Sequence, residues 1–70
     1  MKYIVKLHSN DKIMSGVTFD NEIQTFLHIG KVITDSKTPI EVGVERLYLA
    51  KDGVETLTAI VYHLYECERE

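Results

Sequence analysis

Most residue patterns that carry enzymatic or metal chemistry are absent from this chain. Its 70 residues include one cysteine, one proline and no tryptophan. A single Cys67 cannot form an internal disulfide, which favours a reducing, cytoplasmic location. No apolar stretch reaches the roughly 18 residues of a membrane span, and no charged segment followed by an apolar run opens the chain. The sequence therefore predicts neither a membrane association nor secretion.

Positive charge is also scarce. Eight Lys and Arg residues stand against 11 Asp and Glu residues, giving a formal net charge of −3. A phosphate-binding groove needs clustered basic residues, and here they are dispersed along the chain. Nucleic-acid binding is therefore disfavoured, and it stays an alternative in which four lysines would act with the tyrosines. These lysines are Lys2, Lys6, Lys12 and Lys31.

No constellation of catalytic or metal-binding residues stands out. His63 and Cys67 lie four residues apart, but a structural zinc site needs four N or S ligands in paired short spacings. The three serines lie in predicted turns without a recognisable flanking pattern. We therefore predict no enzyme activity, no metal, no cofactor and no small-molecule substrate. The remaining enzymatic alternative is a site at a dimer seam that uses His28 or His63 with a carboxylate.

The strongest structural signal is a β-hairpin near the C-terminus. Two apolar runs, residues 40–50 and 54–65, flank Asp52-Gly53. Asp-Gly is typical of a two-residue type I′ turn, because both turn positions need a positive φ. Such a turn fixes the register, pairing Tyr48 with Leu57, Val44 with Val61 and Ile40 with Tyr65.

The second of these runs also fits a helix. Asp52 and Glu55 match a capping box, and several apolar residues recur at spacings of three and four. An amphipathic helix over residues 53–67 is therefore the alternative. Because the run is rich in Thr, Val, Ile and Tyr, which suit a pleated surface better than a helix, we favour the strand.

The first half of the chain predicts strands followed by a helix. Residues 2–8 alternate as a first strand, and residues 13–17 return as a second. A helix of about ten residues begins near Thr18 or Asp20 and ends at Gly30-Lys31. Residues 32–34 then predict a short strand. The packed stripe of the helix is predicted to comprise Ile23, Phe26, Leu27 and Gly30, with Asn21, Gln24, Thr25 and His28 outward.

Together these elements predict one α+β domain over residues 1–70. We expect a small antiparallel sheet of three to five strands with one helix packed on it. One face of the hairpin forms the predicted core, from Ile40, Val42, Val44, Tyr48, Leu57, Ala59, Val61 and Tyr65. The opposite face carries an apolar surplus that we predict as an interface: Leu47, Leu49, Ile60, Tyr62 and Leu64.

That surplus carries the functional prediction. A helix of ten residues cannot cover both faces of the hairpin, so a second copy or another protein is expected to cover one of them. We therefore predict a small non-enzymatic protein-interaction module that forms a homodimer or binds a partner protein. Its size suits an inhibitor or adaptor of the kind that phages and other mobile elements encode.

Overall fold

The computed structural model describes residues 1–67. Its five elements are β1 (Lys2–Ser9), β2 (Lys12–Phe19), α1 (Glu22–Asp35), β3 (Ile40–Lys51) and β4 (Val54–Glu66). The strands form one sheet in the order β2-β1-β4-β3, in which β1 and β4 are parallel and the other two pairs are antiparallel. The α+β class and the C-terminal hairpin are confirmed. The sheet is mixed rather than wholly antiparallel, and the helical alternative for residues 53–67 is wrong.

Both hairpins close through two-residue turns with left-handed backbone. Asn10 and Asp11 have φ values of 53° and 62°, and Asp52 and Gly53 have φ values of 53° and 77°. Positive φ at both central positions matches the right-handed twist of the flanking strands. Asn, Asp and Gly adopt this conformation at the lowest steric cost, which explains why the chain reverses at these two sites.

Helix α1 begins later and ends later than its sequence predicts. Asn21 is the N-cap, and its side-chain oxygen accepts hydrogen bonds from the backbone N–H groups of Ile23 (2.7 Å) and Gln24 (3.3 Å). The helix continues through Gly30 to Asp35, so the predicted strand at residues 32–34 is wrong. Val32 packs against the core from the helix, and this tertiary contact outweighs the β-propensity of the local sequence.

The packed face of α1 also differs from the predicted stripe. Thr25 and Ile29 are its buried residues, whereas Ile23 and Leu27 are about 71% and 69% exposed. Thr25 can be buried because its hydroxyl donates a hydrogen bond of 2.8 Å to the carbonyl of Asn21. The prediction that Ile23 and Leu27 face the core is therefore wrong, as is the outward placement of Thr25. Phe26 is about half-exposed, and its ring packs against Tyr62 of β4.

The core lies between α1 and one face of the sheet. Val5, Ile29 and Leu64 form its buried centre, and five partly buried residues pack around them: Leu7, Phe19, Val32, Ile40 and Tyr62. Helix α1 packs mainly over β1 and β2, which leaves the outer strand β3 largely uncovered on that face. No helix within residues 1–67 has the length and hydrophobicity needed to cross a membrane.

A β-bulge at Thr58 shifts the register of the second hairpin. On the turn side Tyr48 pairs with Leu57 as predicted, but beyond the bulge Leu47 pairs with Ala59. The Thr58 hydroxyl donates a hydrogen bond of 3.1 Å to the Leu47 carbonyl at this point. Because a one-residue slip exchanges the two faces of a strand, most of the predicted core pairing is wrong. Val44 pairs with Tyr62 and Ile40 with Glu66. Ala59, Val61 and Tyr65 point to the face that lacks the helix, where Ala59 and Val61 are buried as predicted and Tyr65 is exposed.

Candidate interaction surface

The end of the second hairpin projects beyond the rest of the sheet. Strand β1 pairs with β4 only over residues 59–65, so residues 47–58, which we call the arm, consist of two strands and their turn. The arm contributes to an elongated molecule with extents of 50 × 24 × 15 Å. Its exposed apolar residues are Leu47 (39%), Tyr48 (55%), Leu49 (61%) and Val54 (63%). An isolated two-stranded ribbon is marginally stable in water, so packing of a further strand or surface against the arm would stabilise it.

The five residues predicted as an interface do not share one surface. Leu47 and Leu49 lie on the arm, on the sheet face that α1 does not cover. Ile60, Tyr62 and Leu64 lie on the opposite face, where Tyr62 and Leu64 pack in the core that α1 covers. Leu64 has no exposed surface and belongs to the core, so its placement in an interface is wrong.

Tyr62 is held between the core and the helix. The edge of the Phe26 ring meets the Tyr62 ring at a centroid distance of 5.7 Å. Burial raises the pKa of the Tyr62 hydroxyl above its ordinary value, and the negative charge of Glu22 adds to this shift. Tyr62 therefore contributes to packing, and a charged substitution here would disturb the fold.

The outer edge of β3 carries unpaired backbone groups. The Pro39 carbonyl accepts a hydrogen bond of 2.9 Å from the Cys67 N–H, and the Leu47 carbonyl accepts one from the Thr58 hydroxyl. The odd-numbered residues of β3 therefore direct their backbone N–H and C=O groups towards β4. Because the direction of N–H and C=O alternates along a strand, the even-numbered residues 40–50 direct theirs away from the sheet. This edge is 12 residues long and contains no proline. Among the described residues, no strand pairs with it. Long, open edges of this kind are templates for further strand pairing.

A second apolar area flanks α1. The helix exposes Ile23, Phe26, Leu27 and Ile33, and on the same side of the sheet the outer strand β3 exposes Val42 and Val44 at about 48% and 49%. The periodicity of the sequence did identify the apolar stripe of the helix, but it assigned that stripe to the core.

A hydrogen-bonded chain of polar residues crosses the sheet face opposite α1. His8 Nε2 lies 2.9 Å from His63 Nδ1, and His63 Nε2 lies 3.0 Å from a carboxylate oxygen of Glu45. The His8 ring also stacks on Tyr65 with a centroid distance of 4.6 Å. His63 thus has the carboxylate partner that the enzymatic alternative required, while His28 contacts Phe19 on the helix side of the sheet. Within residues 1–67 no group of three or more side chains is arranged to hold a metal ion.

The lysines of the nucleic-acid alternative lie on three different elements. Lys2 and Lys6 belong to β1, Lys12 begins β2, and Lys31 lies on α1. The Lys2 ammonium group donates a hydrogen bond to the Asp20 carboxylate, and this contact lowers the pKa of Asp20 below its ordinary value.

Comparisons of the chain with protein-family models, with curated proteins and with solved structures found no match.

Proposed function

We propose that this protein is a non-enzymatic interaction module that assembles with a second copy of itself through the arm. The observation that supports the proposal is the arm itself, in which exposed apolar side chains and an open strand edge occur together. Single exposed apolar residues are ordinary on protein surfaces, but a contiguous group of them marks an interaction site.

The size of the apolar group fits a modest, concentration-dependent assembly. Two copies would each contribute Leu47 and Leu49 from one face of the arm and Tyr48 from the other, or six side chains in total. Complete burial of a large apolar side chain contributes about 1.5–3 kcal/mol. These side chains are already partly buried in the monomer, so their burial on association contributes less than this. The loss of translational and rotational freedom costs about 4–15 kcal/mol, which leaves a small net free energy of association.

A module of this kind would act by occlusion. An assembled pair presents apolar surface bordered by charged residues, and it could cover the surface of a further partner protein. Glu41, Glu45 and Lys51 form the charged border on the face that α1 does not cover. The depletion of charge at the centre and its presence at the rim is the usual composition of a protein interface. An inhibitor or adaptor encoded by a phage or mobile element remains our more specific proposal.

Molar mass in solution tests the proposal. We expect light scattering over a concentration series from about 1 μM to several hundred μM, the range suited to weak association, to show a shift from monomer to dimer. Leu49→Asp should abolish that shift, because it places a charge at the centre of the arm. Ile13→Asp is the matched control, since Ile13 is 60% exposed, close to the 61% of Leu49, but lies on the opposite edge strand.

Two outcomes would contradict the proposal. One is a strict monomer at every concentration. The other is equal loss of assembly in the Ile13 and Leu49 variants, which would show that the arm is not the contact surface. Circular dichroism of each variant verifies that the fold is retained.

A further inference from the structure

We propose that the second copy binds by antiparallel pairing of the two β3 edges, with the two-fold axis passing between the two Tyr48 residues. This inference rests on the proposed function and specifies its contact geometry. It follows from three properties of β3: the direction of its free backbone groups, the distribution of charge along it, and the absence of a neighbour at the arm among the described residues.

The backbone supports this arrangement directly. Tyr48 is an even-numbered residue of β3, and its N–H and C=O point away from β4. In an antiparallel pair centred on Tyr48, the two Tyr48 residues exchange N–H···O=C hydrogen bonds across the axis. Arg46 exchanges the same bonds with Ala50 of the second copy. The edge would then satisfy groups that otherwise bind water.

The side chains match in the same register. On the face that α1 does not cover, Leu47 lies opposite Leu49 of the second copy, and Glu45 lies opposite Lys51. The two-fold axis repeats both contacts, which produces a cluster of four leucines between two Glu–Lys pairs. Cross-strand pairs of apolar residues and of opposite charges are the units that stabilise antiparallel sheets. Glu45 already binds His63 through one carboxylate oxygen, and its other oxygen can accept the lysine.

Other registers match less well. In a symmetric antiparallel pair of β3 strands, opposed residues share a face of the sheet, so both have even numbers or both have odd numbers. Each possible register is therefore symmetric about a single residue of β3. At least seven residues of β3 pair when the centre lies between residues 43 and 48. Centres at residues 43–47 all set a glutamate opposite another glutamate or a leucine. Only the centre at Tyr48 joins acid to base and leucine to leucine.

The shape of the molecule leaves room for this pairing. The seven residues 45–51 extend towards the tip of the hairpin, where β1 and α1 are absent. The two domains would lie at opposite ends of a shared four-stranded centre made of two arms. Seven residue pairs form an interface below about 1,200 Å², the range typical of weak and transient association.

Cysteine cross-linking tests the register. In a Cys67→Ser background, chains carrying Leu47→Cys and chains carrying Leu49→Cys are mixed and oxidised, with one chain enlarged by a tag. Residues opposite each other at a non-hydrogen-bonded position have Cα atoms about 4.5 Å apart, which suits a disulfide. We expect the mixed product, which links position 47 of one chain to position 49 of the other, to form at least about tenfold faster than either self-linked product. Equal rates, or faster self-linking, would overturn the register.

Charge reversal provides an independent measurement. Glu45→Lys and Lys51→Glu should each weaken dimerisation about tenfold, because each places like charges opposite each other, and the double variant should restore it. A dimer in light scattering that is insensitive to these changes and forms no disulfide between positions 47 and 49 would overturn the edge pairing while the proposed function stands. A strict monomer would overturn both. Thermal unfolding of the Glu45 variants separates lost pairing from lost folding.

Discussion

Leu64 and Leu49 are the same residue type in opposite environments, and truncating each to alanine should separate the core from the arm. Leu64 is 0% exposed and packs with Val5 and Ile29, whereas Leu49 is 61% exposed. Removal of a buried leucine side chain costs about 2.7–5 kcal/mol, because the loss of transfer free energy adds to the cost of a cavity. Leu49→Ala should change the free energy of unfolding of the monomer by less than about 0.5 kcal/mol.

The effect at Leu64 is large relative to the whole domain. A chain of 70 residues is expected to have a free energy of unfolding of about 3.5–10 kcal/mol, taking about 0.05–0.15 kcal/mol per residue. With a urea dependence near 1 kcal/mol per molar, a loss of about 3 kcal/mol moves the unfolding midpoint down by about 3 M. Leu64→Ala should therefore unfold in dilute urea, or be unfolded without it.

Urea unfolding followed by far-ultraviolet circular dichroism measures both variants. The concentration must be low enough for the protein to be monomeric, because assembly through the arm would add to the apparent stability. Leu64→Met, which nearly conserves side-chain volume, should cost less than about 1.5 kcal/mol and gives a folded reference if the alanine variant does not fold. A loss below about 1 kcal/mol for Leu64→Ala, or an equal loss for Leu49→Ala, would refute the assignment of the two faces.

Three further features, the helix cap, the turn and the partly buried phenol of Tyr62, are tested by urea unfolding of substituted chains. Asn21→Ala removes the N-cap of α1 and should cost about 1 kcal/mol. Gly53→Ala should cost about 1–2 kcal/mol because φ is 77° there, whereas Gly16→Ala, at a site without positive φ, should be neutral or slightly stabilising. Since the pKa of Tyr62 is raised in the folded state, its contribution to stability is complete below about pH 10 and is lost as the pH rises further. Tyr62→Phe should therefore reduce the alkaline loss of stability, and an unchanged pH profile would contradict this.

Features that depend on a few neighbouring residues could be predicted from the sequence. The reversal at Asp52-Gly53 follows from the steric requirements of a type I′ turn, and the alternation of residues 2–8 identifies β1. Leu47 and Leu49, two of the residues predicted as an interface, are exposed on the hairpin. Their role in binding stays a prediction.

Features that depend on tertiary contacts could not be predicted in this way. The parallel pairing of β1 with β4 joins residues more than 50 positions apart, and no local pattern encodes it. The inward face of α1 includes Thr25, whose polarity is satisfied within the helix, so a ranking by hydrophobicity chooses the wrong stripe. The hydrogen bond between His8 and His63 depends on the same long-range pairing. Its residues could be identified in the sequence, but their contact could not.

The bulge at Thr58 explains why the core and the exposed arm are assigned differently by sequence and structure. Strand β4 has 13 residues and pairs with the 12 residues of β3, so one residue of β4 is extra. Without the bulge, Leu47 and Leu49 would share a face with Ile60, Tyr62 and Leu64, as the regular alternation predicts. With the bulge, those three residues of β4 turn towards α1, and Leu64 completes the core. The two leucines of β3 keep their orientation and lose these apolar neighbours. The same extra residue therefore closes the core of the domain and leaves the arm with apolar side chains that its own chain does not cover.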